Sequence, residues 1–264
     1  SNAAHDAINV ECMDSISRYL KDKEQKPARI TCVFKDLDTY AAFKTSEIFN
    51  EIKDLKIDFL PYNFYTGWAK QVFVKRFYRD FDNPGQEYRY PLVYGNGIKP
   101  GDDKYVHLVF VGTTNFAVAF AMEAANVLHF PNANKRKTRI TFIDVKVDKE
   151  KDEFITRNRH IFEVQPYWYS DLTVANSDKN KDGATPQKPN DENVIFAGED
   201  QAFLDVEFEF IKGNVFSKKV QDEISKWASE HNDEKQCLSI FLALADQREN
   251  FVMGMNMPDE VYAN

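Results

Sequence analysis

The sequence predicts an α/β fold: a Rossmann-like, mostly parallel sheet with helices on both faces, preceded by the partial tail of a similar α/β unit. Three observations predict it. The apolar run "YVHLVFV" at 105–111 stops at Gly112, and an Ala-rich helical pattern begins almost at once, the strand, tight turn and helix order of a dinucleotide-binding unit. From residue 101 onward, strand-like and helix-like segments alternate to the end of the chain, the cadence of a parallel sheet. The first hundred residues read helix, strand, helix, strand, helix, as the end of an earlier unit would.

The elements follow in order. "SNA" at residues 1–3 reads as a cloning scar, and residues 4–100 as the C-terminal part of a first unit with its linker. In "INVECMDSISRYL", the residues Ile8, Cys12, Ile16 and Leu20 fall on one helical face. "ARITCVFKD" alternates Ile30, Cys32 and Phe34 with Thr31 and Val33, a strand. "LDTYAAFKTSEIFNEI" reads as one helix, leading into the short strand "LKIDFLP". "NFYTGWAKQVFVKRFYRDF" has helical spacing, with Trp68, Val72 and Phe73 inward and Lys70, Lys75, Arg76 and Arg79 outward. The turn-rich stretch ending "IKPGDD" sets a boundary near residue 101.

Residues 101–264 form the second unit: a strand at 105–111, a helix at 114–129, the strand "RITFIDV" and the helix "KEKDEFITRNRHIF". A polar insertion at 171–200 follows. "AFLDVEFEFIKG" is then a strand whose Leu204, Val206, Phe208 and Phe210 alternate with Asp205, Glu207 and Glu209 on a solvent face. Ser217 N-caps the next helix, "CLSIFLALA" is a buried strand, and "DQRENFVMGMNMP" begins another helix.

Composition bounds the function. The 264 residues carry 34 Lys plus Arg against 42 Asp plus Glu, a net charge of −8 that provides no basic stripe for nucleic acid. Cys12, Cys32 and Cys237 are odd in number and far apart, so no disulfide framework or CxxC motif can be drawn and a reducing cytoplasm fits. No apolar run is long enough to span a bilayer. His5, His107, His129, His160 and His231 form no zinc spacing, and His107 and His129 read as packing or capping residues. "DKNKDG" at 178–183 matches the first half of a calcium loop, but Pro189 stands where the bidentate Glu belongs, so a solvated loop is the better reading. There is no GxSxG, no Walker lysine and no Cys with a nearby His, so no reaction is proposed.

The candidate site is "GTTNFA". A dinucleotide loop uses its first glycine for the tight turn, its second for backbone approach to the pyrophosphate and its third for close helix packing. Those positions are Gly112, Thr114 and Ala117: the first is present, the third has the accepted small substitute, and the second carries a side chain. The N–H groups of the helix start still favour an anion, and Thr113, Thr114 and Asn115 offer hydroxyl and amide groups for a phosphate or for a cap. Asp144 ends the second strand, where an acid accepts hydrogen bonds from ribose hydroxyls, although it lies farther along than the usual spacing of about 20 residues.

"VHLVFVGTTNFAVAFAMEAANVLHFPNANKRKTRITFID" resembles the TrkA-N (RCK-type) NAD-binding Rossmann domains of potassium-transport regulators, particularly the larger bacterial proteins that carry such domains in tandem. "FLDVEFEFIKG" and "LSIFLALADQRENFVMGMNMP" look like downstream strands of the same domain. The resemblance implies NAD(H) or adenine-nucleotide binding through Gly112, Thr114, Ala117 and Asp144, with Thr113 and Asn115 as neighbours. It also implies control of a partner: a homo-oligomer or other domains of a longer protein. Two other readings stand beside this regulatory one: a degenerate module kept for protein interaction or dimerisation without ligand, and an NAD-dependent oxidoreductase.

Overall fold

The structure is a computed structural model that describes residues 2–21, 28–55, 57–74, 78–79, 87–88, 93, 97–162, 165, 167–173, 184–187 and 204–263. The chain divides into two compact units, Ser1–Gln71 and Val72–Asn264.

In the first unit, α1 (Asn2–Lys21), β1 (Ala28–Phe34), α2 (Leu37–Lys44), α3 (Glu47–Lys53) and β2 (Ile57–Asn63) surround a small core, and β1 pairs with β2 in parallel. Cys32 and Phe34 are buried, Ile30 is half-buried, and Thr31 and Val33 face out, as the alternation in β1 predicts. Three expectations are corrected. The single helix expected over 37–52 is two, because Ser46 leaves helical geometry and its hydroxyl accepts from Phe49 N, capping α3. The buried face of α1 carries Asp6, Met13 and Ser17, while Ile8 is 62% exposed and Cys12 is exposed. The Asp6 carboxylate accepts from the backbone N–H groups of Lys35 and Asp36, and these bonds settle which face of α1 turns inward. α4 (Phe64–Val74) follows, with Ala69 and Phe73 buried but Trp68 47% exposed, against the inward position expected for it. Trp68 packs on the ring of Phe64, one turn back.

The second unit contains the short antiparallel pair β3 (Tyr78–Arg79) and β4 (Glu87–Tyr88), then a six-stranded sheet. Its strands are β5 (Tyr105–Val111), β6 (Thr138–Asp144), β7 (Tyr167–Asp171), β8 (Ala184–Gln187), β9 (Val206–Lys212) and β10 (Gln236–Leu242), in the spatial order β10-β5-β6-β9-β7-β8. All pairings are parallel except β7 with β8. This is the α/β architecture with a five-strand parallel sheet that the alternation predicts, and α5 (Asn115–Val127), α6 (Val147–Arg157), α7 (Arg159–Phe162), α8 (Lys218–Asn232) and α9 (Gln247–Met255) flank it.

Crossover handedness decides which face each helix covers. Right-handed connections stepping one way along a sheet put their helices on one face, and a connection stepping back puts its helix on the other. The chain steps one way from β5 to β6 and on to β7, then returns across the sheet from β9 to β10. Accordingly α5 and α6 cover the face of Phe110, Phe142, Phe208, Phe210 and Phe241, with Phe120 and Phe154 packed into it. α8 and α9 cover the opposite face, where Val109, Val111, Ile143, Ile211 and Leu238 meet Val220, Ile224, Trp227 and Met253.

The first of these faces holds a row of phenylalanines. Phe241, Phe110, Phe142 and Phe210 are in-register neighbours on four adjacent strands and stack with centroid separations of 4.8, 5.5 and 5.5 Å. A parallel register places equivalent side chains side by side, so one aromatic per strand is enough to build the row.

Candidate functional site

β5 ends at Val111, and the backbone turns at Gly112 with φ +103°. The turn is held by Gly112 N donating to Ile143 O at 2.8 Å and by Ala243 N donating to Val111 O at 2.8 Å. A Cβ on Gly112 would sit 2.5 Å from Ala243 O and 2.9 Å from Leu244 N. The close approach that demands glycine is therefore to the loop after β10.

The six residues expected in the site come together. Thr113 donates from both its backbone N (3.1 Å) and its hydroxyl (3.0 Å) to Asp144 Oδ2, and Lys146 N donates to Asp144 Oδ1 at 2.9 Å. Thr114 occupies the N-cap position of α5 but makes no side-chain cap bond; its hydroxyl donates to Ala243 O at 2.9 Å. Asn115 opens the helix half-exposed, and Ala117 is fully buried, as the close packing expected at the third motif position requires. The loop thus keeps the tight turn, the acid and a helix start without a side-chain cap. The space a second glycine would leave open is taken by a threonine fastened to the neighbouring loop.

Position supports a site here. Ligands of open α/β sheets bind beyond the carboxyl ends of strands where successive connections diverge to opposite faces. β5 and β10 are such a pair, since α5 leaves on one face and α9 on the other. Relative to the 3-2-1-4-5 order of dinucleotide halves, the last strand, β10, stands beside the first.

A second divergence lies between β6 and β9, and the sequence reading missed the cluster at its mouth. Lys212 Nζ lies 2.6 Å from Asp148 Oδ2 and 3.8 Å from Asp171 Oδ2, and the Tyr169 hydroxyl donates to Asp148 Oδ1 at 2.6 Å. The Lys212 ammonium and the Tyr169 hydroxyl hold the Asp148 carboxyl below its usual range, while burial, then Asp148, pushes the Tyr169 hydroxyl up. Only strand order brings these residues together; locally, just Tyr169 stands out, in the aromatic run of residues 167–169, and nothing marks the four as a set. The cluster is internally paired.

On the α8 face, a polar chain runs through the sheet. Gln236 Oε1 lies 2.8 Å from His107 Nδ1, His107 Nε2 lies 2.8 Å from Thr141 Oγ1, and Thr141 Oγ1 lies 2.8 Å from Glu209 Oε2. The side chains of His107, Thr141 and Gln236 belong to fully buried residues, and the His107 ring sits edge-on to Trp227 at 4.8 Å. His107 is a packing residue, as expected. The expected solvent face of β9 is met in part: the Asp205 and Glu207 side chains stay 44% and 33% exposed, whereas Glu209, half-buried on a strand between β6 and β7, turns its carboxyl to Thr141.

His129 pairs with Asp205 at 3.1 Å and caps Asn126 O, a surface role. The calcium-like stretch at 178–183, most of the insertion at 171–200, and Glu199 and Asp200 lie outside the described residues. Among the described residues, no cluster of His, Cys, Asp or Glu is arranged to hold a metal ion, and no helix is long and apolar enough to cross a membrane. Burial pushes the thiols of Cys32 (to about 11) and Cys237 above the ordinary cysteine value, which disfavours thiolate chemistry at either. Comparison with protein-family models, with curated proteins and with solved structures finds no match to this chain.

Proposed function

We propose that this chain is a non-catalytic regulatory module that senses NAD(H) or an adenine nucleotide at the carboxyl ends of β5 and β6. One observation carries the reading: Asp144, from the neighbouring strand, is bonded to Thr113 in the turn directly before α5. A ribose-recognising carboxylate and an anion-favouring helix start therefore share one loop. Phosphate oxygens would take the first N–H groups of α5 and the side chain of Asn115, while Thr113 keeps its hydroxyl on Asp144, whose remaining lone pairs would accept from ribose hydroxyls. A link to potassium transport rests on the TrkA-N resemblance alone.

A thermal-shift panel with NAD, NADH, NADP, ATP, ADP and AMP tests this. A ligand at about 100 times its Kd stabilises by about 2.7 kcal/mol, or roughly 5 to 11 °C for a chain of this size. The shift is lost in Asp144→Ala, measured from that variant's own unliganded Tm. A flat panel on folded wild-type protein overturns the reading.

A second reading, an interaction module without ligand, is favoured by the Thr114 hydroxyl bound to Ala243 O, which holds a side chain where pyrophosphate would approach. It predicts a concentration-dependent assembly by sedimentation equilibrium and no gain of nucleotide binding in Thr114→Gly.

A further inference from the structure

The chain from Gln236 to Glu209 poses a question of proton inventory. Gln236 Nε2 lies 3.0 Å from Trp227 O and 2.9 Å from Glu230 Oε2, and both are acceptors, so the amide nitrogen points to them and Oε1 points to His107. An acceptor 2.8 Å from Nδ1 requires a proton on Nδ1. The other ring nitrogen then faces Thr141, whose hydroxyl has one proton to serve both His107 Nε2 and Glu209 Oε2.

Two arrangements satisfy every contact. In one, Glu209 is protonated and donates to Thr141 Oγ1, the Thr141 hydroxyl donates to Nε2, and His107 is neutral. In the other, His107 is an imidazolium that donates to Thr141 Oγ1, and the hydroxyl donates to a Glu209 carboxylate. Both hold the same protons: the first becomes the second when the Glu209 proton moves to Thr141 Oγ1 as the Thr141 proton moves to Nε2. A chain with neutral His107 and ionised Glu209 lacks one proton and leaves an acceptor facing an acceptor.

We propose that the buried His107 and Thr141 and the half-buried Glu209 form a shared-proton relay that holds one acidic proton at neutral pH, with Glu209 as its resting carrier, and that loss of this proton destabilises the fold as pH rises. The surroundings favour the neutral arrangement. Burial, and then the Arg139 guanidinium, hold His107 down to about 3, and burial pushes Glu209 up. The charged groups facing the relay come from each packed element: Arg139 on β6, Glu207 on β9, and Glu223 and Glu230 on α8. Tyr105 on β5 stacks under Arg139, and His231 at the end of α8 bonds to Gln236 O. Two carboxylates near Glu209, those of Glu223 and Glu207, disfavour a third, and Arg139, which lies 3.9 Å from Glu207, moderates that effect. The relay reaches α8 through Gln236, Trp227 and Glu230, so a charge left on Glu209 is felt on that helix.

The pH dependence follows by counting protons in each state. Below about 4.5, the ordinary glutamate value, the unfolded chain carries both protons and the folded relay one, so stability falls as pH falls. Between about 4.5 and 6.5 both states carry one, so the contribution is flat. Above about 6.5 the unfolded chain carries none while the fold retains one, so stability declines as pH rises.

The test combines a spectrum with a pH profile on the full chain. In wild type at pH 7, infrared spectroscopy with 13C-labelled glutamate is expected to show a protonated carboxyl band that Glu209→Gln removes and Glu207→Gln keeps. Nitrogen NMR is expected to find His107 neutral with its proton on Nδ1. Glu209→Gln reproduces the donor of the protonated acid, so it should fold, lose the alkaline decline, and gain stability up to about pH 6.5, where the wild-type plateau ends. Absence of the carboxyl band with an imidazolium at His107, or an alkaline decline unchanged in Glu209→Gln, overturns the proposal. The wild-type spectra decide the matter even where the variant does not fold.

Discussion

Replacing Gly112 by alanine separates the two reasons a glycine can be required at the turn after β5. If the residue serves only phosphate approach, the unliganded protein is indifferent to the change. The geometry says otherwise. A residue with φ +103° leaves the range L side chains favour, at a cost on the order of 1–2 kcal/mol. The new Cβ also lies 2.5 Å from Ala243 O and 2.7 Å from Ala243 C, both backbone atoms of the strand-end loop that Ala243 N ties to Val111. Relieving such overpacking costs about 1–3 kcal/mol. Together these give a loss of about 2–5 kcal/mol, measured by urea unfolding without nucleotide. Gly101→Ala isolates the first part, because Gly101 has φ +87° and open space around it, so about 1–2 kcal/mol is expected there. If the two variants lose the same stability, or Gly112→Ala loses less than about 0.5 kcal/mol, the argument that Gly112 exists to pack β5 against the β10 loop is wrong.

Other outcomes follow from the same geometry. Asp144→Ala leaves Thr113 N and Lys146 N without their acceptor and should destabilise by about 1–3 kcal/mol, so its unliganded Tm falls before any ligand is added. Phe142→Ala removes the middle of the four-ring row and a fully buried side chain; a loss of about 3–5 kcal/mol is expected in denaturant titrations, and a loss under about 1 kcal/mol contradicts the packing described. Ser46→Ala should lower stability by about 1 kcal/mol and reduce helical circular dichroism slightly, since α3 loses its cap. Above about pH 6.5 the decline in stability should be steeper in wild type than in Glu209→Gln by no more than about 1.4 kcal/mol per pH unit, the relay's one proton, a difference read by urea unfolding of both proteins across pH.

Much of the second unit was legible in the chain because periodicity is local. An apolar run ending in Gly112, followed by alanines at helical spacing, is enough to place β5, the turn and α5 within a residue or two. The same holds for the alternation in β1 and for Ala117, whose small size announces close packing. Asp144 could be placed at a strand end from its own segment. Its bond to Thr113 could not, because that depends on β5 and β6 being neighbours.

Periodicity says which residues share a face and is silent on what lies against it. The acids of β9 read as solvent-facing because they alternate with phenylalanines. Asp205 and Glu207 keep that exposure, but the order β10-β5-β6-β9-β7-β8 sets β9 beside β6, and Glu209 closes a chain with Thr141 and His107. The inward face of α1 departs from its apolar stripe for the same reason: the carboxylate of Asp6 finds two backbone donors in the loop after β1, outweighing the apolar claim of Ile8. Local pattern was enough to place β5, the turn at Gly112, α5 and the loop that carries the nucleotide-like motif, though not the break at Ser46 that divides α2 from α3. Which polar groups are buried together was set by strand order, because hydrogen-bond partners are chosen by strand neighbours far apart in the chain.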